Sequence, residues 1–267
     1  MSGSVGSARN DAEGTVSNDA VGIMGGTFDP VHLAHLALAR TALDRLGLAE
    51  VRWIPAGRPW HRDAPGASPA DRVAMVRAAI AGEPRFVLDA SEAEAGAPGY
   101  TVDTLARLRR ELGPDRTIVL LMGADAFRGL AGWHRWRELF DFAHIAVATR
   151  PGFPLDEVPA TLAAEFAARR LHVGGGPALR RPAGTDQPEG RRTPRSGGPE
   201  RSERFDVVEH FLRGPAGGIF PFELVAGTVS ATEARTLLAA GAADEQLREL
   251  LPAPVLDYIR RNQLYSR

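Results

Sequence analysis

The chain has 267 residues, a hydrophobic fraction of 44% and a net charge of −1. It is long enough for one large domain with a sizeable core, and too near neutrality for broad electrostatic binding of nucleic acid or an acidic membrane. It has no Cys, which excludes disulfides and thiolate metal sites, and no Lys, which excludes a Walker-type phosphate loop and a Schiff-base nucleophile; any phosphate clamp must be Arg, His or backbone.

No apolar run is long enough to span a bilayer, and the N-terminus lacks the apolar region of a signal peptide. A cytoplasmic protein with no membrane partner is the expectation. Residues 1–19 are rich in Ser, Gly, Asp and Ala without periodicity and read as a disordered leader. Residues 20–267 are expected to form a single domain.

Val21-Gly22-Ile23-Met24 reads as a short buried strand. Gly25 and Gly26 then form a turn, and Leu33, Leu36, Leu43 and Leu46 recur at helical spacing until Gly47. A strand, a glycine turn and a helix N-terminus together offer backbone N–H groups to an anion. His32 and His35 are three residues apart and share one helix face, where both can donate to a phosphoryl oxygen. A plain turn with surface histidines is the alternative reading.

Val51–Pro55 reads as a second strand. It feeds a loop in which Trp60, His61 and Arg62 could grip an anionic ligand or form a solvated basic surface. Ser68, Pro69 and Asp71 mark a helix start, followed by apolar Val73, Val76, Ala79 and Ile80 and a stop at Gly82. That helix reads as structural, with Arg72 a minor candidate for ligand contact. Phe86–Asp89 is the third strand. Tyr100 or Thr101 opens the next helix, which runs to Gly113.

Residues 117–122 are continuously apolar, as in a parallel strand covered on both faces. They lead to Gly123 and Asp125, the latter placed either to accept from a ribose hydroxyl or to cap a helix. Trp133 and Trp136 are a helical turn apart; one suits the core and one a flat aromatic ligand. His144–Arg150 is the fifth strand, and a helix is expected over about 156–170. Residues 174–203 have scarcely any apolar side chain and read as a disordered insertion. Seven Arg against four acidic residues over 180–204, without interleaved aromatics, is a poor nucleic-acid arm.

Residues 218–225 read as a short strand. Ser230 and Glu233 then have capping-box spacing, and Thr232 and Arg235 on the same first turns make a second phosphate cradle conceivable beside the plain cap.

Taken whole, Gly25 to His35 closely resembles the GGTFDPxHxGH signature of nucleotidyltransferases with a doubly wound sheet, and of the nicotinate-nucleotide adenylyltransferase family in particular. Further segments resemble that family in the right order. They are the PPHK-like loop at Pro59–Arg62, the SYTxxT-like turn at Gly99–Thr104, the GADxxxxLxxWxxWxxL-like run from Gly123, the ISSTxxR-like start at Val229–Arg235 and the LPxxVxxYIxxxxLY-like end. Departures are Ala34 for Gly, Trp60 and Arg62 in the loop, and Ala231 for Ser.

The resemblance implies an α/β fold, a Rossmann-like parallel sheet with helices on both faces and C-terminal helices packed against it. It implies adenylyl transfer from ATP to nicotinate mononucleotide. His32, His35 and Arg235 would be catalytic; Gly25, Gly26, Thr27, Phe28, Gly123, Asp125, Ser230 and Thr232 would join them around ATP. Trp60, His61, Arg62, Tyr100, Thr101 and Trp133 would hold the mononucleotide, with Trp133 stacked on the pyridine ring. Mg²⁺ would arrive on ATP, because no carboxylate cluster offers a protein cage. A homo-oligomer is left open. Transfer to another phosphate acceptor such as phosphopantetheine, and a non-catalytic nucleotide-binding module, are the alternatives.

Overall fold

The structure is a computed structural model that describes residues 19–58, 65–95, 99–149, 155, 158–170, 214–224 and 229–266. Six strands, all parallel, form one sheet: β1 (Val21–Gly26), β2 (Glu50–Pro55), β3 (Phe86–Leu88), β4 (Ile118–Gly123), β5 (His144–Thr149) and β6 (Ile219–Glu223). Their order is β3-β2-β1-β4-β5-β6. This is a doubly wound sheet whose strand order reverses between β1 and β4, the place where such sheets bind ligands.

The register shows why a cleft opens there. β1 pairs with β2 along its whole length, Val21 with Glu50 through Gly26 with Pro55. Against β4 it pairs only from Val21–Ile118 to Ile23–Leu120, so β1 and β4 part beyond Ile23.

Strand residues alternate between two cores. Met24, Val51, Trp53, Val119, Leu121 and Ala146 face one side, with Leu36, Leu43 and Leu46 of α1 (Leu33–Leu46) and Met75 and Val76 of α2 (Pro69–Ile80). Ile23, Ile54, Leu120, Met122, Ile145 and Val147 face the other. There they meet α4 (Thr101–Leu112), α5 (Ala124–Arg128), α6 (Leu139–Phe142) and α7 (Ala160–Arg169), while α3 (Ser91–Ala95) buries no residue and touches α2 and β2. Of these, α4 contributes Val102, Leu105 and Leu108, α5 Phe127 and α7 Leu162 and Phe166 to that core. The C-terminal helices α8 (Ala231–Ala239), α9 (Asp244–Arg248) and α10 (Ala253–Arg261) return to the first side through Ala234, Leu238, Leu247, Val255 and Ile259. Continuous apolar strands were legible as buried because helices cover both faces.

Local signals act as the sequence suggests. Ser68 caps α2 by accepting from the Asp71 amide, and Gly47 ends α1 in the left-handed region at φ 59°. α2 stops at Ile80 with Ala81 as its cap, one residue before the expected Gly82. The expected helical turn joining Trp133 to Trp136 is not formed. Two separate 3₁₀ turns, Leu130–Gly132 and Trp136–Glu138, flank Arg135 at φ 51°. A left-handed residue between them breaks the helical spacing, and Arg135 is held by Glu138 and Asp103. The helix expected over 156–170 is described from Ala160. The leader (but for Asp19), the loop bearing Trp60, His61 and Arg62, and the 174–203 insertion lie outside the described residues.

The described ends of the chain around that insertion lie at the strand N-terminal edge. Arg170 pairs with Ile219, the first residue of β6. The Thr117 hydroxyl and His144 Nε2 donate to Gly214 O, and Arg109 Nη2 donates to Pro215 O at 2.8 Å and to Phe142 O. Both ends therefore leave the sheet opposite the β1/β4 cleft. No described helix is long and apolar enough to cross a membrane.

Candidate active site

The site grows from the C-terminal end of β1. A Cβ on Gly25 would meet nothing within 4 Å, so open space lies over that backbone. A Cβ on Gly26 would stand 3.0 Å from the Phe28 ring, so the glycine there permits a tight turn. The Phe28 side chain is buried, at φ 52°, against His35 and Trp53 with ring centroids 5.0 and 5.5 Å apart. Phe28 is thus a support under His35, and only its backbone is left to meet a nucleotide. Thr27 remains half-exposed.

His32 is the N-cap residue of α1 and His35 its third residue. The His32 amide donates to His35 Nδ1 at 3.2 Å, which places the His35 proton on Nε2 and makes that nitrogen a donor. The two rings stack with centroids 3.6 Å apart. His32 is 8% exposed and its Nδ1 has no hydrogen-bond partner. Burial lowers its pKa from 6.5 to about 4. A buried, unpartnered ring nitrogen beside a helix N-terminus is a polar group awaiting a ligand.

That shift has a consequence for stability. Between pH 4 and 6.5 the unfolded chain binds a proton at His32 that the folded protein refuses, so stability present above pH 6.5 is lost as pH falls towards 4. Burial lowers the pKa of His144 as well, with the same sign. The urea midpoint is expected to drop on acidification through this window, and to drop less in His32→Asn. Identical pH profiles for the two proteins would remove His32 from the account.

A second helix start faces the same loop. Ser230 caps α8 by accepting from the Glu233 amide at 3.1 Å, so the capping role is realised. Arg235 Nη1 donates to Asp29 O at 2.6 Å, and Nη2 donates to Thr232 Oγ1 at 3.3 Å. These bonds set Ser230, Thr232 and Arg235 beside the β1–α1 loop, on the α1 side of the cleft.

Two residues hold this arrangement from below. Arg72, 0% exposed, donates from Nη1 to Thr27 O at 2.7 Å and from Nη2 to Gly57 O at 2.8 Å. Its burial lowers its pKa, opposed by the charge of Asp29. The Asp29 carboxylate accepts from the Gly66 and Ala67 amides and from the Tyr265 hydroxyl. Sequence reasoning gave Arg72 only a minor contact and missed Asp29 and Tyr265. No local signal marked Asp29 or Tyr265, whose partners lie far along the chain.

The other residues gather on the opposite side. Tyr100 precedes α4 as its N-cap residue and Thr101 begins it. The Tyr100 ring lies on His134 with centroids 4.3 Å apart, and Tyr100 and Trp133 pack, half-buried, on the same core. Trp136 is the buried tryptophan of the pair. Beneath the Tyr100 turn, the Thr104 hydroxyl donates to Glu92, whose pKa burial pushes up. Gly123 is half-exposed at the end of β4 and is the N-cap residue of α5, so Asp125 is not the cap. The Asp125 carboxylate is exposed and takes Arg128 at 2.8 Å.

A doubly wound sheet, with a glycine turn and paired histidines at its switch point and an arginine-bearing helix start beside them, defines a nucleotide-handling transferase of the nucleotidyltransferase kind. Residues 23–183 match the cytidylyltransferase-like family. The chain is 46% identical to a probable nicotinate-nucleotide adenylyltransferase of Dechloromonas aromatica, over 93% of this chain and 98% of that one. It is 42% identical to another of Laribacter hongkongensis, over 92% and 94%. In fold it is similar to the Plasmodium falciparum nicotinic acid mononucleotide adenylyltransferase complexed with NaAD, with a TM-score of 0.61 at 16% identity, over 92% and 97% of the two chains. The chain belongs to the nicotinate-nucleotide adenylyltransferase family.

Proposed function

We propose that this enzyme transfers the adenylyl group of ATP to nicotinate mononucleotide, forming nicotinate adenine dinucleotide and pyrophosphate in NAD biosynthesis. The observation that carries the residue assignments is the His32–His35 pair at the α1 N-terminus, in the cleft where β1 and β4 part.

In this reading a 5′-phosphate oxygen of the mononucleotide attacks the α-phosphorus of ATP in line. The new P–O bond forms as the bond to the β-phosphate bridge breaks, and pyrophosphate leaves with the electron pair. The attacking phosphate is already ionised at neutral pH, so the enzyme needs no general base. Its task is positioning and charge stabilisation. His35 donates from Nε2 to the reacting phosphate, and the unpartnered nitrogen of His32 finds its partner in the phosphate chain. Gly25, Gly26 and Thr27 line the approach with backbone. Ser230, Thr232 and Arg235 take the β and γ phosphates, and Gly123 and Asp125 the adenosine side.

Tyr100, Thr101 and Trp133 take the mononucleotide, joined from the adjacent loop by Trp60, His61 and Arg62. Mg²⁺ would arrive on ATP and would supply neutralisation of the phosphate charge. Asp29, the acid of the β1–α1 loop, is committed to protein donors.

The test is pyrophosphate release from ATP and Mg²⁺ with nicotinate mononucleotide, nicotinamide mononucleotide and phosphopantetheine compared as acceptors. Release with the nicotinate compound well above the amide is expected. Release only with phosphopantetheine would move the substrate assignment to a sister family, and ATP binding without release would leave a nucleotide-binding module. Because the described residues on either side of it, Arg170 and Gly214, lie at the sheet edge opposite the cleft, replacing residues 174–203 by a short Gly–Ser linker is expected to leave that turnover within about twofold.

A further inference from the structure

Asp29 is 6% exposed, yet its partners come from distant parts of the chain. The Gly66 amide donates to Oδ2 at 2.8 Å and the Ala67 amide to Oδ1 at 3.0 Å. The Tyr265 hydroxyl donates to Oδ1 at 2.7 Å. Arg235 approaches differently. Its Nη1 bonds the main-chain carbonyl of Asp29 at 2.6 Å but stands 3.6 Å from Oδ2, beyond a hydrogen bond. Arg235 is therefore ion-paired with a buried carboxylate without being hydrogen-bonded to it.

We propose that Tyr265 is a positioning residue for ATP: its hydroxyl satisfies Asp29 Oδ1 and so keeps the carboxylate from drawing Arg235 away from the phosphates. A buried carboxylate with unmet accepting capacity takes the nearest strong donor, and charge-assisted bonds from arginine are among the strongest. Arg235 is such a donor, 3.6 Å from Oδ2 with a side chain 35% exposed. The Tyr265 hydroxyl competes well for the place because burial and the bond to Asp29 raise its pKa and hold its proton. The ring is also fixed. A Cβ on Gly66 would stand 3.1 Å from Tyr265 Cε1 and 3.7 Å from Arg235 Cδ, so ring and arginine stem lie together over that glycine.

The end of the chain does not depend on this one hydroxyl. The Leu264 amide donates to Ile259 O at 3.0 Å, and the Tyr258 hydroxyl to Asp71 Oδ1 at 3.0 Å. Removing the Tyr265 oxygen alone therefore leaves α10 anchored on α2.

The inference rests on the reading of Arg235 as a phosphate ligand, and the experiment separates the two. In Tyr265→Phe the KM for ATP is expected to rise about tenfold, with the KM for nicotinate mononucleotide within about twofold of the parent. In an Arg235→Ala background, adding Tyr265→Phe is expected to change the ATP KM by less than about twofold, because the displaced group is gone. Gly66→Ala, which presses on the same ring, is expected to reproduce the ATP-side defect. An unchanged ATP KM in Tyr265→Phe, or an equal rise with and without Arg235, would overturn the role of Tyr265 alone. An Arg235→Ala enzyme with a normal ATP KM would overturn the phosphate assignment and this inference with it.

Discussion

In His35→Ala, turnover is expected to fall by about two to three orders of magnitude while the protein stays folded. The argument starts from the tautomer. The His32 amide occupies His35 Nδ1, so the ring offers an N–H at Nε2, and the buried Phe28 edge fixes the plane of that ring. A donor held in place before the substrate arrives needs no reorganisation when charge builds on the phosphoryl oxygens. That pre-organisation is the source of the large rate effect expected. Stability should suffer far less, by about 1 kcal/mol, for the lost bond to the His32 amide at a helix start. Pyrophosphate release and a thermal midpoint measured on the same preparation give both numbers. A folded variant with near-normal turnover would remove His35 from the reacting centre.

Arg72→Met is expected to reverse the balance, with a loss of stability of about 3 kcal/mol and weakened binding of both substrates. The guanidinium is fully buried and spans two backbone carbonyls, Thr27 O before the histidines and Gly57 O at the start of the loop that bears Trp60, His61 and Arg62. Methionine fills much of the volume but donates nothing, so two carbonyls lose their partner. In the function proposed above, the loops they belong to serve ATP on one side and the mononucleotide on the other, so the KM for each should rise. Arg72→Lys keeps the charge, but a single ammonium lacks the planar fork that reaches both oxygens, and it should fall between the two. Urea unfolding and steady-state kinetics measure the pair of effects; an unaltered urea midpoint would show that neither carbonyl depends on Arg72.

How much of this was legible in the chain depends on the distance over which each residue acts. β1, the glycine turn and α1 lie within one run of sequence, so their geometry and the histidine pair follow from local spacing. The doubly wound order follows from strands alternating with helices. Asp29 and Tyr265 meet across 236 positions, and no local pattern marks an acid whose partner is so far away. Arg72 looked like one polar residue on an amphipathic helix, and only the packed fold shows that it points inward. The Trp133–Trp136 pair divides as its spacing suggested, one ring in the core and the other half-buried, but through two 3₁₀ turns around Arg135 in the left-handed region rather than through one helical turn. Asp125 suited a cap by position, yet Gly123 ended β4 in the extended conformation a cap requires and took that place.

The parting of β1 from β4 beyond Ile23 bears on how the molecule opens as well as on what it binds. The half built from β1, β2 and β3 is contiguous in sequence, whereas the pairing of Val21 with Ile118 closes a loop of nearly a hundred residues. Such non-local pairing is costly in chain entropy and forms late. The short β1–β4 ladder is therefore the natural seam for sub-global opening, and amides of Ile118 to Leu120 should exchange with solvent sooner than those shared by β1 and β2. A nucleotide lying across that seam binds only the closed form and so slows exchange on both of its sides at once.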